Sequence, residues 1–168
     1  MNRIIKLTTL FTILSFLFIA CKDSGKSGAD QEAKPAFDLA AAKKYIGETN
    51  QAISDLLAKG DSTALANLYT TDAKMMPPNE AIISGRNNIL ATWGYFVRNG
   101  MTGYKITPID VWGSEALVGE EGTWTFSDKE GKELDHGKYV VLWKMEDGKW
   151  KLFRDCWNSD MPVMAPAK

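Results

Sequence analysis

One carboxylate stands out against its neighbours. Asp155 lies between Phe153 and Trp157 in the alternating stretch Trp150 to Trp157, which reads as a β-strand. Alternation places Phe153, Asp155 and Trp157 on one face and Leu152, Arg154 and Cys156 on the other. An acid on an apolar face costs on the order of several kcal/mol unless it is paired, hydrogen-bonded or protonated. Two roles satisfy that condition. Asp155 can be a structural acceptor for a tryptophan N–H or a tyrosine hydroxyl, or it can be the acid or base of a pocket. Glu120 and Glu121 are adjacent, so their side chains leave a strand on opposite faces and do not form a working pair.

Other chemistries are disfavoured. His136 is the single histidine and sits beside Gly137 after a turn, where a solvated loop residue is expected. One histidine and two cysteines, Cys21 and Cys156, do not furnish a zinc set. Asp128, Glu130 and Asp135 flank Gly131 without calcium-loop spacing. No glycine-rich phosphate loop precedes a helix. No metal and no cofactor is therefore expected. Cys156 has no base beside it in sequence and reads as a small strand residue.

The N-terminus carries a different kind of chemistry. Arg3 and Lys6 precede an almost wholly apolar run, Leu7 to Ile19, which ends at Ala20-Cys21. That is the charged, apolar and cleavage order of an export signal, and the run is shorter than the roughly 20 residues a spanning helix needs. The cysteine at the cleavage point resembles the bacterial lipobox. The resemblance implies removal of residues 1–20 and acylation, including palmitate, on Cys21, and several acyl chains anchor stably. Removal takes two of the 20 Lys+Arg against 21 Asp+Glu and leaves a net charge near −3. With no basic stripe, nucleic acid is not an expected partner. Residues 21–36 are small and charged and read as a flexible tether, residues 37–160 as one domain, and 161–168 as a tail.

The domain begins helical and ends extended. Apolar residues recur at three- and four-residue steps from Phe37 to Leu57, and Gly60 ends that helix. Asp61 can cap a second helix through Leu65, Leu68 and Tyr69, and a short extended piece, Ala73 to Met76, stops at Pro77-Pro78. A third helix is expected over Asn87 to Arg98. Strands are expected over Tyr104–Val111, Ala116–Phe126, Tyr139–Met145 and Trp150–Trp157, the last two joined by a tight turn at Glu146-Asp147-Gly148-Lys149. Helices followed by antiparallel strands define an α+β class.

Two stretches together carry a resemblance. One is Gly60-Asp61, Leu65, Leu68-Tyr69-Thr70-Thr71-Asp72-Ala73, Pro77-Pro78, Ser84-Gly85-Arg86, Ile89 and Trp93. The other is Gly137-Lys138-Tyr139, Trp143, Asp147-Gly148-Lys149-Trp150-Lys151-Leu152, Asp155 and Trp157-Asn158. In order and spacing they resemble the ketosteroid-isomerase and polyketide-cyclase (SnoaL-like) superfamily. The resemblance covers about residues 45 to 160 and implies a cone: a curved antiparallel sheet wrapped around three helices, with a pocket at the open end. It implies that Phe153, Asp155 and Trp157 face the hollow. Tyr139, Val141 and Trp143 would join them from the neighbouring strand, Glu120 and Trp124 from the strand before, and Trp93 from the third helix. Gly122 would leave space between Glu120 and Trp124. At helical and strand spacing, Trp93, Trp124, Trp143 and Trp157 read more simply as plain core.

The catalytic isomerases of that superfamily use an aspartate base, a tyrosine donor and a neutral aspartic acid. At the matching positions this sequence has Pro77, about Ile53 and about Val141. The shared shape would therefore come without that acid–base machinery. The expectation is an envelope lipoprotein facing the periplasm or the cell exterior, whose aromatic pocket binds a small hydrophobic molecule. The alternative is a lyase, isomerase or hydrolase with Asp155 as acid/base and Tyr139 or His136 as donor. A homodimer through the outer face of the last strands, at Leu152, Arg154 and Cys156, fits either.

Overall fold

A computed structural model describes residues 36–162. Cys21, and with it the signal and most of the tether, lies outside the described residues. Asp38 caps helix α1 (Leu39–Ala58), its Oδ1 accepting the N–H groups of Ala40 and Ala41 at 2.8 and 3.1 Å. The face of α1 that carries Ala42, Ile46, Asn50, Ile53 and Leu57 is buried. Asp61 caps α2 (Ser62–Asn67) in the same way, through Ala64 N–H. This second helix is shorter than its apolar pattern suggested, because Tyr69 already belongs to strand β1 (Tyr69–Met76). A two-residue strand β2 (Ile83–Ser84) leads into α3 (Arg86–Arg98), which buries Ile89 and Trp93.

Four long strands follow: β3 (Gly103–Ser114), β4 (Leu117–Ser127), β5 (Glu133–Glu146) and β6 (Lys149–Ser159). The sheet order is β2-β1-β6-β5-β4-β3. All pairs are antiparallel except one: β1 runs parallel to β6. The β5–β6 turn has Asp147 and Gly148 both at positive φ, 54° and 73°, as a two-residue hairpin requires. His136 lies within β5, opposite Thr125, and not in a loop.

The sheet curls because its registers slip. In β3 the pairing shifts between Pro108 and Asp110, and Ile109 is pushed out to solvent. In β6 Leu152 lies opposite Trp143 and Arg154 opposite Leu142, so Phe153 is an extra residue with no partner. That bulge overturns a single alternation for the strand. Trp150 and Leu152 point inward before it, and Asp155 and Trp157 point inward after it. Phe153 turns outward, with the Arg154 guanidinium 3.6 Å and the Lys144 ammonium 4.8 Å from its ring centroid. Leu152 consequently leaves the outer face on which a twin was expected to dock.

The narrow end is tied by Glu146. Its carboxylate accepts Thr71 N–H at 2.9 Å, Arg86 Nη2 at 2.5 Å and Lys151 Nζ at 3.1 Å. Arg86 also donates from Nε and Nη2 to the Tyr69 carbonyl, at 3.0 and 2.7 Å. The network joins β1, α3, β5 and β6. Burial alone would raise the Glu146 carboxyl, but the Thr71 N–H, Lys151 and Arg86 outweigh it and hold the group at about 2. A carboxyl depressed by folding stabilises the native state above its unfolded value, and that stability is lost as pH falls through the folded one. Glu146→Gln is expected to lower Tm at neutral pH, with the gap from wild type shrinking between pH 4.5 and 2, as read by thermal unfolding across pH.

Candidate functional site

The cone is open at one end and packed at the other. At the open end lies a cavity of about 500 Å³, within the size range of small-molecule sites. Helix α3 supplies Tyr95 and Phe96 to its wall, β4 supplies Trp124 and Phe126, and β6 supplies Trp157. Pro77, Pro78, Ile83, Ala91 and Met101 complete the apolar lining, and Glu80 and Asp135 are its two carboxylates. The aromatic groups support one another: Tyr104 stacks on Phe126 at 4.3 Å, and Trp124 and Phe96 lie 5.1 and 5.9 Å from the same ring.

Beneath the mouth the hollow narrows to two crevices of about 10 and 20 Å³, each with room for one water at most. Asp155 lines both. The upper crevice shares Phe96, Trp124, Phe126 and Trp157 with the mouth, so the aspartate stands directly below the large cavity. The Tyr69 hydroxyl donates to Asp155 Oδ2 at 2.7 Å. Burial pushes the Asp155 carboxyl up to about 6; the Tyr69 bond opposes the rise and the Glu120 charge adds to it. Tyr69 is driven well above its ordinary value by burial first and by Asp155 second, so it remains a donor. Tyr104 rises for the same reasons, burial and then the charges of Asp155 and Glu120. The Trp93 ring N–H is buried and makes no hydrogen bond of ordinary geometry among the described residues, although it stands near enough to Tyr69 to counter part of that rise.

Glu120 is the second buried acid, and it is fully exhausted. It is 0% exposed and accepts from Asn50 Nδ2 at 2.6 Å, Tyr139 Oη at 2.8 Å and Trp143 Nε1 at 2.9 Å. Burial raises its carboxyl while the three donors hold it down. The donors come from α1 and β5, and the acid from β4. The space beside Gly122 is used here: a side chain at that position would come within 2.7 Å of the Tyr139 hydroxyl. The glycine makes room for the tyrosine that reaches Glu120.

The structure brings Trp93, Trp124, Trp157 and Asp155 around the upper crevice, and Trp93, Glu120, Tyr139 and Asp155 around the lower one. Trp143 lines neither; it is 0% exposed and serves Glu120. Phe153 is on the outer face, for the reason the bulge gives. Neither expected donor stands at Asp155. Tyr139 is committed to Glu120, and His136 Nδ1 pairs with Glu133 at 2.7 Å outside the crevices. Tyr69 takes that place, a residue whose run Tyr69-Thr70-Thr71 carries a strand signal that the preceding helix pattern masked. Ile53 and Val141 line the lower crevice and Pro77 the mouth, so apolar groups stand where the isomerases carry tyrosine, acid and base.

A six-stranded sheet, curled but unclosed, with three helices and an aromatic cavity at its mouth, is the NTF2-like α+β cone. Within that class the chain belongs to the SnoaL-like domain family, whose profile matches residues 50–153. Solved structures with the same fold include an NTF2-like protein with a cystatin-like fold from Novosphingobium aromaticivorans. It is 17% identical, with a TM-score of 0.63 over 74% of this chain and 86% of that one. A candidate scytalone dehydratase from the same organism is 17% identical, with a TM-score of 0.60 over 77% and 91% of the two chains. A ketosteroid isomerase-like protein from Erwinia carotovora atroseptica is also 17% identical, with a TM-score of 0.58 over 71% and 96%. No curated protein matches the sequence.

A carboxyl raised by folding contributes stability that is complete below its unfolded value and is lost as pH rises through its folded one. For Asp155 that window runs from 3.8 to about 6. The Tm difference between wild type and Asp155→Asn should therefore change across that interval and be constant above it, as followed by calorimetry at several pH values.

Proposed function

We propose that this protein is an envelope lipoprotein whose SnoaL-like domain binds a small hydrophobic molecule in the mouth cavity. The observation that carries the binding is the cavity of about 500 Å³ walled by Tyr95, Phe96, Trp124, Phe126 and Trp157. Such a wall gains free energy by removing apolar ligand surface from water, at about 25 cal/mol per Å² before ordering costs. The Arg3/Lys6, apolar-run and Cys21 order supports export, removal of residues 1–20 and acylation of Cys21. In this reading residues 21–36 tether a domain spanning 37–160 to the membrane, facing periplasm or exterior. Two copies meet through the outer face of β5 and β6, where Val140 and Cys156 are exposed.

A second reading has a specific observation behind it. Asp155 sits near pH 6 below the cavity, and one of its oxygens accepts Tyr69 while the other takes no hydrogen bond from the described residues. A carboxyl so tuned can take a proton from a bound molecule or return it near neutral pH. Isomerase or dehydratase chemistry of the kind named for the structural relatives would then use Asp155, with Tyr69 holding its far oxygen. The carboxylate is the base; Tyr69, locked in its protonated state, orients it.

The binding test is to fill the mouth. Ala91 lines the cavity from an exposed position, so Ala91→Trp should block the hollow with little change in Tm. Binding of the neutral dye N-phenyl-1-naphthylamine should weaken at least about tenfold, a loss of roughly 1.4 kcal/mol. Equal binding by both forms would sink the cavity reading. Retained ligand binding with lost turnover in Asp155→Asn would favour the enzyme. For the anchor, Cys21→Ser should abolish palmitate labelling and release the protein from membranes, checked by fractionation.

A further inference from the structure

The hollow of the cone carries negative charge without a matching cation. Glu120 is wholly buried, and its three hydrogen-bond partners, Asn50, Tyr139 and Trp143, are neutral. Asp155 accepts only from the neutral Tyr69 hydroxyl among the described residues, and its other oxygen is unclaimed. Burial leaves its carboxyl at about 6, so it is mostly ionised at neutral pH. Two more carboxylates, Glu80 and Asp135, stand in the wall of the mouth. Asp135 Oδ1 accepts the His136 N–H at 2.7 Å and the Ser159 hydroxyl at 2.6 Å, again from neutral donors. No Lys, Arg or His lines the mouth or either crevice. None of these acids joins an ion pair among the described residues, whereas Glu146, Asp147 and Asp160, elsewhere on the sheet, all do.

Charges taken out of water are normally paired or bound to a metal. Here the pairing is missing, and no three His, Cys, Asp or Glu side chains among the described residues gather as a metal set. We propose that the molecule taken up by the mouth is a hydrophobic amine, held as its ammonium with the cationic end turned down toward Asp155. This rests on the reading of the mouth as a ligand cavity and names the class of ligand. The geometry suits both ends of such a molecule. An apolar body fits the cavity of about 500 Å³ at the mouth. The upper crevice below it is ringed by Trp93, Phe96, Tyr104, Trp124, Phe126 and Trp157, with Asp155 in its wall. Rings around a carboxylate attract an organic cation twice, through their quadrupoles and through the charge. Room of about 10 Å³ suits a primary ammonium, which is close to a water in size. Glu80 and Asp135 at the mouth add to the same potential, which draws cations to the opening and turns anions away. A carboxylate ligand would bring one more anion into a hollow with no base to receive it. A neutral alcohol would leave the buried charge unbalanced.

The test titrates the full chain carrying Cys21→Ser, by calorimetry at low salt, with three naphthalene probes of similar shape: 1-naphthylmethylammonium, 1-naphthylmethanol and 1-naphthoate. The ammonium should bind at least about tenfold tighter than the alcohol, and the naphthoate most weakly. An alcohol or naphthoate that binds as well as the ammonium overturns the proposal and leaves the cavity reading in place. Binding of N-phenyl-1-naphthylamine without binding of the ammonium does the same. If neither that dye nor any probe binds, the cavity reading falls and this proposal falls with it. Amide variants then locate the preference. Asp155→Asn keeps an acceptor for Tyr69, and Asp135→Asn keeps one for Ser159. Combined with Glu80→Gln, they should bring the ammonium and alcohol affinities to within about twofold of each other, with alcohol binding unchanged as the sign of an intact cavity. Where that triple variant does not fold, Glu80→Gln with Asp135→Asn takes its place and should cut the preference at least about threefold. A preference undiminished in the folded variant overturns the assignment to these acids.

Discussion

The buried Glu120 carboxylate organises the centre of the cone. An anion wholly removed from water is tolerable only if its lone pairs are spent, and here three donors converge on it from two other elements. Each donor would in turn be stranded without the acid, at about 1–3 kcal/mol apiece. Asn50 thereby fixes α1 against β4, and Tyr139 and Trp143 fix β5 against it. The same charge helps to raise Asp155 and Tyr104. The acid that does the structural work therefore also tunes the acid above it, and the two could not exchange roles. One is surrounded by donors; the other keeps an oxygen unclaimed below an open cavity.

The general shape was legible because β4 and the central stretch of β5 keep an unbroken alternation. Tyr139, Val141 and Trp143 face inward as their spacing requires, and so do Glu120, Gly122, Trp124 and Phe126. Helix starts at Asp38 and Asp61 and the hairpin at Asp147-Gly148 were equally plain, since capping and positive φ leave marks in residue type. A bulge leaves none. Phe153 is as apolar as its neighbours, and only the pairing partner shows that it is the extra residue. Alternation carried across it put Phe153 inside and Leu152 outside, the reverse of what packing requires, while Asp155 and Trp157 came out on the expected side.

The site itself was less legible than the wall around it. The sequence pointed to Asp155 and the tryptophans, and the structure gathers Asp155, Trp93, Trp124 and Trp157 below and around the mouth while Trp143 is spent on Glu120. It could not pair Asp155 with Tyr69, because the pair depends on β1 lying beside β6, a contact between residues 86 positions apart. It also could not say how much of the hollow stays empty. Side chains of Tyr69, Tyr104 and Tyr139 fill the lower part, and the room is at the mouth, where α3 contributes Tyr95 and Phe96.

The parallel pairing of β1 with β6 has a consequence for how the molecule is made. A chain emerges from the ribosome with its amino end first, so Tyr69 to Met76 are available long before Lys149 to Ser159 exist to receive them. Until then β1 has only the two-residue β2 as a neighbour, and most of its ladder groups are open to any other strand. Sealing that edge therefore waits on β6, the last strand of the described residues. Truncation or stalling anywhere before that strand leaves an unsealed edge, the sort of intermediate that aggregates or engages chaperones.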